Sequence, residues 1–271
     1  MIRINYNGVL IDADDAPPTV EGSVFHASTG YFESMLVAGG KPQLWELHAA
    51  RLSRSLEQWQ SLLPSGFSAA FLESEITRTI DANEPAPYWK LRAELFVGND
   101  ETLQYLIEPI TLDETMVAYN EAGLRIGLAD NQLKDFDRNA NLKTINTTLY
   151  VQGPMLAKAR RLDDILLVRD NIIVESGTSN LFIVKDGQLV TPPLEAGCIA
   201  GVMRTYLMAR LSAAGLQVSE RLISIADLLN AEEVFLTNAV RRIKWVQSVE
   251  DSQFTNHLSS YIYSLLFSGR N

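Results

Sequence analysis

Residues 171–184 read Asn171-Ile172-Ile173-Val174-Glu175-Ser176-Gly177-Thr178-Ser179-Asn180-Leu181-Phe182-Ile183-Val184, and this stretch decides the fold. Two short runs of β-branched and aromatic residues flank a cluster of small polar ones, which is the pattern of two strands joined through a tight connection. Lys185-Asp186-Gly187 is a turn, and Leu189-Val190 resumes the apolar run. The three runs make a β meander over 171–175, 179–184 and 189–190. Working outward, residues 164–168 read as a buried strand and 147–160 as a helix. Downstream, residues 201–214 read as a helix after a Gly-containing loop, and 234–237 as a short apolar strand.

The first half of the chain has its own pattern. Ile2, Ile4 and Tyr6 alternate with polar residues, Asn7-Gly8 is a hairpin turn, and Val9-Leu10-Ile11 continues. A second hairpin runs over 31–38, turns at Gly39-Gly40 and returns over 42–45. Residues 47–63 carry helical spacing, with Leu52, Leu56 and Trp59 on one face, until Pro64-Ser65-Gly66 breaks it. Residues 68–80 form another helix with Ser68 as N-cap, and 91–97 and 103–107 are strands. The expected architecture is α+β in two domains: a smaller one over 1–112, a linker over 113–122, and a larger one over 123–271 that begins with a strand at 124–128.

The 271 residues carry a formal charge of -10, with 33 acidic against 23 basic side chains. Such a chain repels polyanions on average, so nucleic acid and anionic membrane surfaces are not expected partners. Arg241, Arg242 and Lys244 are the densest basic group, either a local anion site or a solvated face. One cysteine, Cys198, supports neither a disulfide framework nor a cysteine metal cluster, and His26, His48 and His257 show no ligand spacing. No apolar run approaches the roughly 18 residues of a membrane span, and the opening residues lack a leader pattern, so the cytoplasm is the expected compartment.

The chain lacks G-x-S-x-G, the P-loop pattern and G-x-G-x-x-G, which leaves lysine- or carboxylate-centred chemistry. Lys143 stands in Asn141-Leu142-Lys143-Thr144-Ile145-Asn146, just ahead of the helix. Alone it is an ordinary surface lysine, Glu175 a strand-end acid, Arg51 a helix-surface arginine, and residues 197–204 a loop entering a helix.

Together they resemble something specific. Glu175 to Val184, followed by Asp186-Gly187 and Thr191-Pro192-Pro193-Leu194, resembles the signature of fold-type IV pyridoxal-phosphate enzymes, the class IV aminotransferase family. Gly201-Val202-Met203-Arg204 matches that family's phosphate-binding turn. Gly30-Tyr31-Phe32-Glu33 and His48-x-x-Arg51-Leu52 match its N-terminal domain, and Lys143 lies 32 residues before Glu175 as the pattern requires. The resemblance spans about Gly30 to Val246. It implies a cofactor at the domain interface, a C-terminal domain with a barrel-like sheet, and a homodimer. It also implies roles. Lys143 forms the Schiff base and moves the substrate proton. Glu175 pairs with the pyridine nitrogen, and Arg51, Val202, Met203, Thr237 and Asn238 surround the phosphate. These roles make physical sense: a lysine amine attacks an aldehyde only when neutral, a carboxylate favours a protonated pyridine nitrogen, and a helix N-terminus offers amides to phosphate.

Within the family, Lys143-x-x-Asn146 and Thr237-Asn238-Ala239 resemble 4-amino-4-deoxychorismate lyases, as does Met203 where transaminases more often have Thr. Branched-chain aminotransferases place a tyrosine at the fifth position after the lysine, where this chain has Thr148; Tyr150 comes two later. Three features depart from the family pattern: Ser28-Thr29-Gly30 replaces the usual Gly-Asp-Gly, the Asp-Arg ahead of it is absent, and Trp245 replaces a proline. The resemblance thus implies a lyase giving 4-aminobenzoate and pyruvate, with an aminotransferase of branched-chain or D-amino acids as the alternative and a non-catalytic homologue as a third reading. Asn146, Tyr31, Tyr105 and Arg92 are the candidate substrate-side residues. For Tyr31 and Tyr105 a place in the core is the competing reading, and for Arg92 a strand surface.

Overall fold

The computed structural model describes residues 2–15, 30–98, 101–129, 139–146 and 148–268. His26, Ser28, Thr29 and the expected helix start at Thr147 lie outside the described residues. The chain divides into two compact units, Met1–Met116 with Leu142–Asn146, and Val117–Asn141 with Thr147–Asn271. The first unit therefore includes the short segment that carries Lys143, and the expected linker divides between the two.

In the first unit, β1 (Arg3–Tyr6), β2 (Val9–Asp12), β3 (Gly30–Ala38), β4 (Lys41–Pro42), β5 (Tyr88–Val97) and β6 (Leu103–Thr111) form one sheet. Its order is β2-β1-β6-β5-β3-β4, and every pairing is antiparallel. Two helices, α1 (Trp45–Leu56) and α2 (Ala69–Asp81), join β4 to β5. Side chains alternate across the sheet. Tyr31, Met35, Val37, Leu91, Ala93, Leu95, Leu103, Tyr105 and Ile107 share one core with Leu52 and Leu56 of α1 and Leu72 and Ile76 of α2. Phe32, Arg92 and Glu94 belong to the opposite face.

Two local expectations change. Helix α1 stops at Leu56, and residues 57–62 tighten into a 3-10 turn in which Trp59 leaves helical geometry. The cause is tertiary: the Trp59 ring packs on Tyr31 at 4.7 Å between centroids. The return of the second hairpin is only Lys41–Pro42, because Trp45 already opens α1. Ser68 does cap α2, accepting from the Phe71 amide at 3.1 Å.

The second unit contains β7 (Leu124–Leu128), α3 (Thr148–Arg160), β8 (Asp164–Arg169), β9 (Ile172–Ser176), β10 (Asn180–Lys185) and β11 (Gln188–Thr191). It continues with α4 (Val202–Ala213), β12 (Val218–Glu220), β13 (Ile223–Ser224), α5 (Ile225–Leu229), β14 (Glu233–Asn238), β15 (Arg242–Val249), β16 (Ser252–Gln253) and α6 (His257–Phe267). The sheet order is β12-β11-β10-β14-β15-β7-β8-β9-β13, with β16 on β15. Val190 of β11 and Ile223 of β13 stand near opposite ends of that order yet share one core with Ile126, Leu181, Leu236 and Val246. A sheet whose ends meet in one core must curl, which gives the barrel-like form. Strands β12, β13, β15 and β16 and helices α5 and α6 lie outside the expected elements.

Among the described residues no helix is long and apolar enough to cross a membrane.

Candidate active site

Lys143 is placed by an edge pairing. The Phe32 amide donates to the Lys143 carbonyl and the Ile145 amide to the Gly30 carbonyl, both at 2.9 Å. Gly30 is required there, since a Cβ would lie 2.1 Å from Ile145 Cδ1 and 2.7 Å from the Leu95 carbonyl. Residue 143 thus lies opposite residue 32, and its ammonium sits 4.3 Å from the centre of the Phe32 ring. The Arg92 guanidinium lies 3.9 Å from the same ring centre, and its Nε donates to Glu94. Lys143 and Arg92 are therefore brought together on the sheet face away from the helices. Asn146 ends the same segment and is exposed.

Tyr31 and Tyr105 are not brought there. Tyr31 is one residue from Phe32, so its side chain points to the helix-covered face, against Trp59. The Tyr105 hydroxyl donates to Glu75 at 2.8 Å, and its ring meets Phe71 edge-on. Burial first, then the Glu75 hydrogen bond and charge, hold that phenol well above its usual range. Both tyrosines serve the core, on the face opposite Lys143.

Arg51 is 4% exposed and grips the buried Glu33 through Nε at 2.8 Å and Nη2 at 2.5 Å. His48 Nδ1 shares Glu33 Oε2 at 2.6 Å, while its Nε2 is buried with no hydrogen-bond partner among the described residues. Burial pushes the Glu33 carboxyl up, but the charge of Arg51 and the hydrogen bonds of His48 and Arg51 outweigh it and hold the value down to about 2.

In the second unit, Glu175 is 2% exposed near the end of β9. Oε1 accepts from the Tyr150 hydroxyl at 2.7 Å, and Oε2 from the Ile199 amide at 3.1 Å and Asn180 Nδ2 at 3.4 Å. Tyr150, two positions late by the aminotransferase pattern, thus reaches the site by another route. Helix α3 opens at Thr148, which puts residue 150 in its first turn.

The polar run after Glu175 is a staple. Asp164 accepts from Ser176 Oγ at 2.8 Å and Thr178 Oγ1 at 2.7 Å. Asn238 Nδ2 donates to Ser179 Oγ at 3.0 Å, while its Oδ1 accepts the Val240 and Arg241 amides at 3.1 and 2.7 Å. The Asn238 side chain is spent building the turn after β14, so its main chain is what remains to meet a ligand.

Helix α4 begins at Val202 with Gly201 as N-cap and no side-chain cap. A Cβ on Gly201 would lie 1.8 Å from Asn180 Oδ1, so glycine lets Asn180 reach the loop, where its Nδ2 donates to the Ile199 carbonyl at 2.9 Å. Val202 and Met203 are each 3% exposed. Thr237 Oγ1 is buried and has no hydrogen-bond partner among the described residues. An uncapped helix N-terminus and an orphaned buried hydroxyl suit a phosphate group. Arg204 instead ties the unit together, bonding the Pro192 carbonyl at 3.0 Å and pairing with Glu220.

The model of the amino-transferase class IV family matches residues 30–249. The chain belongs to the class IV aminotransferase family. Enzymes of this class use pyridoxal phosphate, and relatives of this member include both aminotransferases and a lyase. A branched-chain-amino-acid aminotransferase of Escherichia coli is 34% identical over 271 residues, covering 92% of this chain and 85% of the relative. An aminodeoxychorismate lyase of Vibrio harveyi is 22% identical over 244 residues, covering 83% of this chain and 84% of the relative. The branched-chain aminotransferase of Thermoproteus uzoniensis, solved with norvaline, shares the fold with a TM-score of 0.86 at 20% identity, covering 97% of this chain and 93% of that one.

Proposed function

We propose that this class IV enzyme is a 4-amino-4-deoxychorismate lyase, releasing 4-aminobenzoate and pyruvate. The bound pyridoxal phosphate supplies an electron sink for the charge left on the substrate carbon that loses its proton. Lys143 Nζ would hold the cofactor through its aldehyde group, and the same amine would take the proton from the substrate carbon. Glu175 holds the proton on the pyridine nitrogen. The Val202 and Met203 amides, the Thr237 hydroxyl and the Asn238 main chain meet the phosphate, while Arg51 is held by Glu33 on the helix-covered face of the first sheet. Arg92, beside Lys143 on the Phe32 ring, orients a substrate carboxylate.

The observation that carries the lyase reading is the segment after Lys143. Asn146 is exposed three residues on, residue 148 is Thr, and the next tyrosine in the chain, Tyr150, has its hydroxyl bonded to Glu175. Purified protein mixed with aminodeoxychorismate should yield 4-aminobenzoate and pyruvate in equal amounts, and absence of both products sinks the proposal. The 34% identity to a branched-chain aminotransferase favours a second reading. That reading expects the cofactor spectrum to change to the pyridoxamine form on adding an amino acid and to return on adding a 2-oxo acid.

A further inference from the structure

We propose that Tyr150 is a positioning residue for Glu175, fixing the carboxylate's rotamer and setting how strongly it holds a proton on the cofactor's pyridine nitrogen. The inference rests on the pyridoxal-phosphate role given to Glu175 above, and it concerns a residue that no motif assigned. The two carboxylate oxygens are served from different elements. Oε1 takes the Tyr150 hydroxyl of α3 at 2.7 Å, and Oε2 takes the Ile199 amide ahead of α4 at 3.1 Å. A carboxylate held on both oxygens cannot rotate about its last torsion without losing a bond, so it presents one orientation to the ring.

The phenol also acts electronically. A donor on Oε1 withdraws charge from the carboxylate and makes it a weaker proton acceptor. The strength of that donor therefore adjusts the balance of the proton between Glu175 and the pyridine nitrogen. The phenol itself stays protonated: burial, then the charge and hydrogen bond of Glu175, push its pKa far above the usual range. Tyr150 is a fixed donor and not an acid or base in the cycle. This arrangement also explains why the hydroxyl matters at position 150. An apolar residue in the first turn of α3 would leave Oε1 one hydrogen bond short inside a buried site.

The test uses the holoenzyme and cofactor labelled at the ring nitrogen. In Y150F the nitrogen NMR signal should move toward the unprotonated form, and the apo protein's affinity for free pyridoxal phosphate should fall about tenfold, the scale of one hydrogen bond to a charged group. Fluorotyrosine at position 150 is nearly isosteric and a stronger donor, so it should move the signal the opposite way; it also answers the question if Y150F fails to fold. In an E175Q background, Y150F should add almost nothing, because the effect passes through the carboxylate. Unchanged signal and affinity in Y150F, or no response to fluorotyrosine, would overturn the proposal and leave Tyr150 as packing for α3. Failure of the wild-type protein to bind the cofactor at all overturns the parent reading as well, and so is told apart from failure of this one.

Discussion

Glu33 in the first unit and Glu175 in the second are both buried, and the two are held in opposite ways. Glu33 is gripped by a guanidinium through two bonds and by an imidazole through a third. The hydrogen bonds described at Glu175 come from a phenol, a main-chain amide and a carboxamide. None of those three donors carries a charge, so they orient the Glu175 carboxylate without cancelling it. Arg51 does cancel Glu33. Arg51 thus neutralises Glu33 within the first unit, and the role proposed for Glu175 uses a carboxylate that these three donors orient. A matched ion pair locks α1 onto β3, whereas an oriented carboxylate suits a cationic ring nitrogen.

The largest effect that tests this contrast is on stability. Glu33→Gln leaves Arg51 as a buried charge without its anion, which costs about 3–5 kcal/mol, and the urea midpoint should fall accordingly. Glu175→Gln should do the reverse. Its neutral donors can still pair with an amide, so stability should drop by no more than about 1–2 kcal/mol, while turnover falls roughly 100-fold, or about 2.7 kcal/mol of barrier. Denaturant titrations and product assays on the two variants give four numbers. If Glu33→Gln is stable and Glu175→Gln unfolds, the contrast between a locking and a presenting carboxylate is wrong.

Much of this was legible in the chain. The run from Asn171 to Val184 announces β9, β10 and the polar connection through its two continuous apolar runs. At the motif glycines 30 and 201 the structure has close approaches, where a Cβ would meet a neighbour at 2.1 and 1.8 Å. The Glu33 centre was not legible. Glu33 reads as one letter of Gly-Tyr-Phe-Glu, and its burial depends on His48 and Arg51 arriving from α1. Tyr31 and Tyr105 failed for a different reason. A strand motif names neighbours without saying which parity faces the helices, and one residue of difference puts a side chain on the other face. Helix α6 carries its signal in Leu258, Tyr261, Ile262 and Leu265 at helical spacing. Tyr150 depended on where α3 begins, which spacing from Lys143 alone does not fix.

The smallest expected effect is the most specific, because it isolates the Glu33 charge by difference. The folded value of about 2 lies below the ordinary value of 4.5, so the shift is a depression. A carboxyl of that kind contributes stability fully above its unfolded value and loses it as pH falls through the folded value. The wild-type urea midpoint should therefore decline as pH falls from about 4.5 to about 2. Glu75 contributes in the same window: hydrogen bonding to Arg78, then to Asn5 and Tyr105, outweighs burial and lowers its value to about 2. Wild type and Glu33→Gln share Glu75, so it cancels in their difference. That difference should shrink across the window, since only the wild type has the charge at position 33 to lose. A gap that stays constant across the same window would mean that Arg51 stabilises the first unit by packing and not through its pairing with Glu33.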